Sequence, residues 1–287
     1  MAFLLRLEYW VLLVSLLVSA QSSLAEFTLA ETGLAKTSFD RDEFRRSYFE
    51  RFPGVPVDDY VYGVYAIDVN LRQQWQALND FPPYEFALDE GRILAEEAFL
   101  DGGTLAQCLG ENAVQKFPYF NEELGEVLTL GNAVNECRVK HGLAKLSYQK
   151  QDLANLLAYL TFLERGTRRG TPPPASENAL QAYQRGKDYF YTKRGQLNLS
   201  CADCHIRAVG QHLREQTLAP LLGVVNHYPV YGLRQGAMGS LHQRFVGCVE
   251  QVRGEADHLQ SQTFKELEYF LAIMADGLPI IGPMTQR

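Results

Sequence analysis

Apolar residues recur at helical spacing in two separated stretches of the chain. Near the C-terminus Phe264, Leu267, Leu271 and Met274 fall on one helix face, and Asp276-Gly277-Leu278-Pro279 ends the run. Upstream, Glu177 to Tyr191 reads as a second helix, with Gly186-Lys-Asp-Tyr-Phe190 inside it. A glycine at such a place lets another helix approach closely. The first half carries a fainter copy. Leu156-Leu-Ala-Tyr159-Leu160 resembles Glu266-Leu-Glu-Tyr269-Phe270 at a spacing of 110 residues, and Gly91 precedes Cys108 by 17 positions where Gly186 precedes Cys201 by 15. The pattern predicts a mostly α protein of two tandem domains, 26–170 and 171–287. Arg168-Arg-Gly-Thr-Pro172-Pro-Pro174 reads as the linker between them by composition.

One apolar run does not belong to this periodicity. Arg6 precedes Trp10 to Val18, and Ser23-Leu24-Ala25 places small residues as a signal peptidase requires. Residues 1–25 are therefore expected to be a cleaved signal peptide, with an uncleaved anchor as the alternative, and the mature protein to act in the periplasm without a membrane span. The composition, 46% apolar and 21% charged over 287 residues, is that of an ordinary globular chain. A net charge of −7 argues against nucleic acid and against an anionic membrane surface.

The chemistry is carried by cysteines. Cys201-Ala202-Asp203-Cys204-His205 is the CxxCH pattern of covalent haem c attachment, in which two thiols add to the haem vinyl groups and the histidine becomes an axial iron ligand. A thioredoxin-type pair or half a zinc site would explain the two cysteines but not the adjoining His205. In the first half Cys108 is followed by Leu109-Gly110-Glu111-Asn112, with no second cysteine and no histidine. Together with the flanking helices the motif favours two tandem cytochrome c-like domains, of which the first is expected to be degenerate and haem-free, leaving one haem on the chain. Cys108 and Cys137 then remain as two thiols in an oxidising compartment, where a disulfide is the simplest outcome and two free buried thiols the alternative.

Cys248 is left without a partner. It lies between the haem motif and the last helix, the region that supplies the second axial ligand of a cytochrome c domain. On chemistry alone Met238, His227, His242 and Cys248 are all candidates, and spacing does not choose between them. Residues 201–253 hold Arg207, Arg214, Arg234, Arg244 and Arg253 against Asp203, Glu215 and Glu250, so positive charge is concentrated there in an acidic chain.

Several stretches together resemble a known family, the A subunit of the bacterial SoxAX thiosulfate-oxidising cytochrome. They are Tyr119 to Leu130 with Asn135-Glu-Cys137-Arg138, Asn198 to His205, Tyr228-Pro-Val-Tyr231, Ser240 to Cys248, and Leu271 to Pro279. The resemblance implies an L-cysteine S-thiosulfotransferase that couples thiosulfate to a cysteine of the SoxYZ carrier protein and passes two electrons to cytochrome c. It implies a small haem subunit, SoxX, as companion. It further implies Cys248 as the distal haem ligand, found as a persulfide, and Arg244 as a thiosulfate-binding residue. Some family members replace the first haem with a disulfide, and this sequence matches those. Gln243 and Val246 interrupt an arginine-rich run that relatives often carry before the active cysteine. Two competing readings are a plain electron-transfer cytochrome ligated by Met238 and a standalone thiosulfate dehydrogenase.

Overall fold

The computed structural model describes residues 31–286; the expected signal peptide, 1–25, lies outside them. Helix α1 (31–49) and a 3-10 stretch (Val57–Ala66) lead into α2 (Val69–Asn79). Next come α3 (Glu85–Ala95), two short helices α4 (Leu105–Leu109) and α5 (Ala113–Lys116), an antiparallel hairpin of β1 (Tyr119–Asn121) and β2 (Glu126–Leu128), then α6 (Leu130–Lys140) and α7 (Gln151–Leu163). The second half repeats the order. It has α8 (Glu177–Tyr191), a π-helical turn (Asp203–Arg207), a hairpin of β3 (His212–Leu213) and β4 (Gln216–Thr217), and a 3-10 turn (Val224–Asn226). A hairpin of β5 (Val230–Gly232) and β6 (Ala237–Gly239) follows, then α9 (Leu241–Gln251) and α10 (Gln262–Met274). Strand β7 (Met284–Gln286) finally pairs parallel with β5, Val230 opposite Met284. The protein is mostly α, and no helix among the described residues is long and apolar enough to cross a membrane.

The repeat is closer than the sequence pattern suggests, and its spacing is 111 residues rather than 110. Thr129 caps α6 in a reciprocal capping box with Asn132, and Ser240 caps α9 in the same way with Gln243. At that spacing β1 falls on β5, β2 on β6, α6 on α9 and α7 on α10. The one-residue correction has a physical origin. Matching Tyr159 to Tyr269 aligns identical letters, whereas the contact that shapes both halves is backbone to backbone. A Cβ on Gly91 would stand 2.2 Å from the carbonyl oxygen of Asn155, and one on Gly186 would stand 2.0 Å from that of Glu266. Gln243, which breaks the expected arginine run, is the residue that closes the α9 capping box.

Burial around α10 is wider than one face. Ten of its residues are buried, including Lys265 and Glu266, which reach ion-pair partners in Glu126 (2.6 Å) and Arg185 (2.6 Å). The large core gathers Phe190, Phe264, Phe270 and Leu271 from the second half. It also takes in Phe44, Tyr48, Tyr60 and Val61 from the start of the chain. The expected division at 170/171 does not describe this packing: aromatic side chains of α1 and the 3-10 stretch have their apolar partners in the second half. A separate, smaller core of Phe99, Leu105, Val134, Leu153 and Leu156 holds the first repeat together.

The segment read as a linker is anchored, not free. Arg168 pairs with Asp58 (2.7 Å) and bridges in antiparallel fashion to Pro279. Arg169 is fully buried, and its guanidinium donates to Asn226 Oδ1 (2.7 Å) and to the carbonyls of Val225 (3.1 Å), Val114 (3.3 Å) and Phe117. Burial pulls its pKa down to about 10, so it stays charged at neutral pH. Its acceptors come from both repeats, which fixes one against the other. Proline-rich composition predicted a spacer because it says nothing about where an adjoining arginine is buried.

The helix crossings give a direct test. Gly186→Ala forces a methyl into the α10 backbone, and unfolding in urea should show a loss of about 3 kcal/mol. Gly54→Ala, where a Cβ meets nothing within 4 Å, should stay within about 0.5 kcal/mol of the parent. Equal stability of the two variants would remove the close approach as the constraint.

Candidate functional site

The CxxCH segment is held from both ends. Ser200 and Asp203 bond reciprocally, Ser200 N–H to Asp203 Oδ2 (2.8 Å) and Asp203 N–H to Ser200 Oγ (3.1 Å), which starts the turn that carries Cys204 and His205. The far end is secured by the N-terminal segment. The Tyr48 hydroxyl donates to the His205 carbonyl (2.8 Å), and the Arg51 guanidinium donates to the carbonyls of Ile206, Arg207 (2.7 Å) and Val209 (2.8 Å). These four orphan carbonyls at a helix end would otherwise lack partners. Tyr48 and Arg51 escaped sequence reading because they lie some 150 residues away and belong to no motif.

His205 is half-buried with Nδ1 2.8 Å from the Ala219 carbonyl, so Nδ1 carries the proton and donates. Desolvation pushes its pKa down to about 4, leaving the neutral imidazole with the Nε2 lone pair unprotonated. Burial pushes the Cys201 thiol up to about 11, and raises Cys204 as well.

Cys201, Cys204 and His205 line one wall of a cavity of about 520 Å³. Leu221, Val224, Leu267 and Leu271 are among its apolar walls. Another wall is α9, which presents Leu241, Arg244, Phe245 and Cys248 at positions spaced by three and four. Arg244 and Cys248 are one helical turn apart and share a face. The Cys248 thiol raises the Arg244 guanidinium above its ordinary value despite burial. Among the described residues the Arg244 guanidinium has no carboxylate partner and no hydrogen bond. Tyr228, also in the cavity wall, lies in the field of both Arg244 and Cys248, and burial pushes its hydroxyl far above the usual tyrosine range.

Of the four candidate second ligands, the structure brings two to this cavity. Met238 is buried elsewhere, between Tyr84, Ala87, Ala154 and Ala158, with its backbone doubly bonded to the Gln151 side chain. His242 points away from the cavity, with Nδ1 accepting from Gln260 N–H (3.1 Å) and Nε2 2.9 Å from Glu268. His227 does line the cavity, but Nδ1 donates to the Val61 carbonyl (2.6 Å) and Nε2 faces Gln286 (3.3 Å). Cys248 remains, a free thiol.

A cavity of this size, with two thiols at one rim, a free imidazole lone pair and a sulfur on the facing helix, fits a haem c with axial nitrogen and sulfur donors. The positive charge is more localised than the count of five arginines suggested. Arg207 is paired with Asp203 (2.8 Å) and the exposed Arg234 with Glu215 (2.8 Å), while Arg214 and Arg253 do not line the cavity. An arginine that the sequence did not single out does line it. Arg194 stacks on Tyr189 at 3.6 Å and places Nη1 3.5 Å from Cys201 Sγ.

The first repeat holds the complementary arrangement. Cys108 on α4 is disulfide-bonded to Cys137 on α6, 29 residues away. Because α6 corresponds to α9 at the 111-residue spacing, Cys137 occupies the position that Cys248 holds in the second repeat. The thiol facing the cavity in one repeat is the thiol that closes a cross-link in the other.

Comparison with known proteins places these features in context. The family model described as SoxA/TsdA, cytochrome c domain, matches residues 95–168 and 185–280. A protein of Allochromatium vinosum named L-cysteine S-thiosulfotransferase subunit SoxA is 43% identical over 241 residues, 83% of this chain and 86% of that one. The protein of the same name from Chlorobaculum thiosulfatiphilum is 38% identical over 240 residues, 83% and 84% of the two chains. Among solved structures, the crystal structure of SoxXA from P. pantotrophus superposes with a TM-score of 0.66 at 26% identity, covering 75% of this chain and 84% of that chain.

The cross-link in the first repeat is directly measurable. A non-reducing peptide map should recover the Cys108 and Cys137 peptides joined. Chemical reduction should lower the unfolding free energy by about 3–4 kcal/mol, as expected for a loop of this length. Recovery of both peptides alkylated without prior reduction would contradict the pairing.

Proposed function

The chain belongs to the SoxA/TsdA cytochrome c family, and on that premise we propose that it is the haem-bearing subunit of an L-cysteine S-thiosulfotransferase. It acts in thiosulfate oxidation. The reaction joins thiosulfate to a cysteine of the SoxYZ carrier: an S–S bond forms between the carrier sulfur and the outer sulfur of thiosulfate, the thiol proton is released, and two electrons leave. Those electrons pass to cytochrome c. The companion is the SoxX subunit, and the compartment is the periplasm.

The observation that carries the site assignment is Arg244 one turn before Cys248 on α9, half-buried, without an acidic partner, and facing the same cavity as His205. A guanidinium lining a largely apolar cavity with no counter-ion is a natural site for an anion. Thiosulfate is a dianion, and a guanidinium fork suits its oxygens. Cys201 and Cys204 would hold one haem c covalently, with the His205 Nε2 lone pair and the Cys248 sulfur as its axial donors. When bound, haem supplies one-electron redox chemistry beside the reacting sulfur. Cys248 would carry the reacting sulfur as a persulfide, while Arg244 holds the anion beside it and the apolar walls limit water. The position of Met238, sealed between the repeats, weighs against the plain electron carrier ligated by that residue.

Denaturing mass spectrometry should show one haem added to the chain. Cys248→Met should keep that mass but lose the thiolate-type ferric spectrum and the coupling activity. Arg244→Ala should keep the spectrum while kcat/KM for thiosulfate falls roughly 10- to 150-fold, the equivalent of one charge-assisted hydrogen bond of about 1.5–3 kcal/mol. Coupling at the parent rate by the Cys248→Met protein would falsify the mechanism.

A further inference from the structure

Tyr228 is a buried tyrosine in the cavity wall whose hydroxyl has no use in the fold. Its relative exposure is 8%. A buried phenol ordinarily finds a hydrogen-bond partner, as Tyr48 does at His205 and Tyr183 does at Asp40 (2.8 Å). Among the described residues the Tyr228 hydroxyl has none. Tyr228 shares the wall of the large cavity with Arg244 and Cys248, and the charges of both act on its hydroxyl.

Its placement is rigid. The preceding residues, Val225 and Asn226, are fixed by Arg169, and Asn226 donates in turn to the carbonyls of Leu278 (2.9 Å) and Pro279 (3.0 Å). The ring lies 5.2 Å from that of His227, itself bonded to Val61. Tyr228 also lines a small second cavity of about 80 Å³, together with Val114 and Leu157 of the first repeat and Arg169. A donor fixed in this way is pre-organised: it need not be ordered when a ligand arrives.

We propose that the Tyr228 hydroxyl donates a hydrogen bond to a sulfonate oxygen of the anion held by Arg244, making Tyr228 a substrate-binding residue of the site. The inference rests on the reading of Arg244 and Cys248 given above. A sulfonate group presents three oxygens, of which a guanidinium fork engages two. A neutral donor at the third completes the recognition without adding a second positive charge beside the iron. It also selects for an oxyanion over a bare sulfide, which has no oxygen to accept the bond. The same contact serves thiosulfate and the S-thiosulfonate group formed from it, because both end in the same sulfonate.

The test uses the haem-loaded protein with its companion subunit and compares Tyr228→Phe, Arg244→Ala and the double variant. Tyr228→Phe keeps the ring and removes only the hydroxyl, and haem content together with the melting temperature verifies folding. The expected result is a fall of about 10-fold in kcat/KM for thiosulfate, with an unchanged ferric electron paramagnetic resonance spectrum in the absence of substrate. Because both residues hold one anion, the double variant should lose less than the product of the two single losses. Titration of the resting ferric protein with thiosulfate should show weaker binding in Tyr228→Phe without any turnover. Parent-like kcat/KM and binding in Tyr228→Phe, with Arg244→Ala impaired, would overturn the role of Tyr228 alone. A shifted resting spectrum with unchanged thiosulfate binding would overturn it too, and would assign the hydroxyl to the Cys248 sulfur. If Arg244→Ala is equally silent, the anion site itself is wrong.

Discussion

Two helices can meet backbone to backbone only where no Cβ intervenes, and in this protein that requirement is set at Gly186 against Glu266. The approach brings α10 into the centre of the larger core, where it is buried on nearly every side. From there it contributes Leu267 and Leu271 to the cavity floor. The position of α8 relative to α10 also sets where the chain can continue into Cys201. A larger side chain at residue 186 would move the cavity wall itself, not only lower stability. The same contact at Gly91 and Asn155 builds the first repeat, so one packing solution has been used twice.

What differs between the repeats is how the space beside that crossing is filled. In the second, Cys201, Cys204, Cys248 and the neutral imidazole of His205 line a cavity of about 520 Å³. In the first, corresponding space is occupied by Phe99, Leu105 and Val134 beside a Cys108–Cys137 bond. Apolar side chains and a cross-link close the core of the first repeat.

The sequence was informative where chemistry or periodicity is local. CxxCH located Cys201, Cys204 and His205, and α8 was read with its observed bounds, Glu177–Tyr191. The sequence put Arg244 four residues before Cys248, but the helix that gives them a shared face, α9, was not among the elements it predicted. Long-range relations were not legible. Nothing adjacent in sequence reveals that Arg169 is buried among carbonyls of both repeats, or that Tyr48 and Arg51 belong with His205. Nor could spacing choose among Met238, His227, His242 and Cys248. That choice depends on which side chains already have partners, and only the folded chain records that.

The clasp formed by α1 also orders events in time. Tyr48 meets His205 across 157 residues of chain and Leu221 across 173. A chain delivered N-terminus first must therefore keep α1 waiting until the cysteine motif has arrived. Contacts so distant in sequence close slowly, because the intervening loop entropy is lost before they form. The delay leaves an interval in which the CxxCH turn is complete in sequence but not yet covered by Tyr48 and Arg51. Any machinery that must reach both thiols has that interval to work in, and the last step of folding then acts as a door shut behind it.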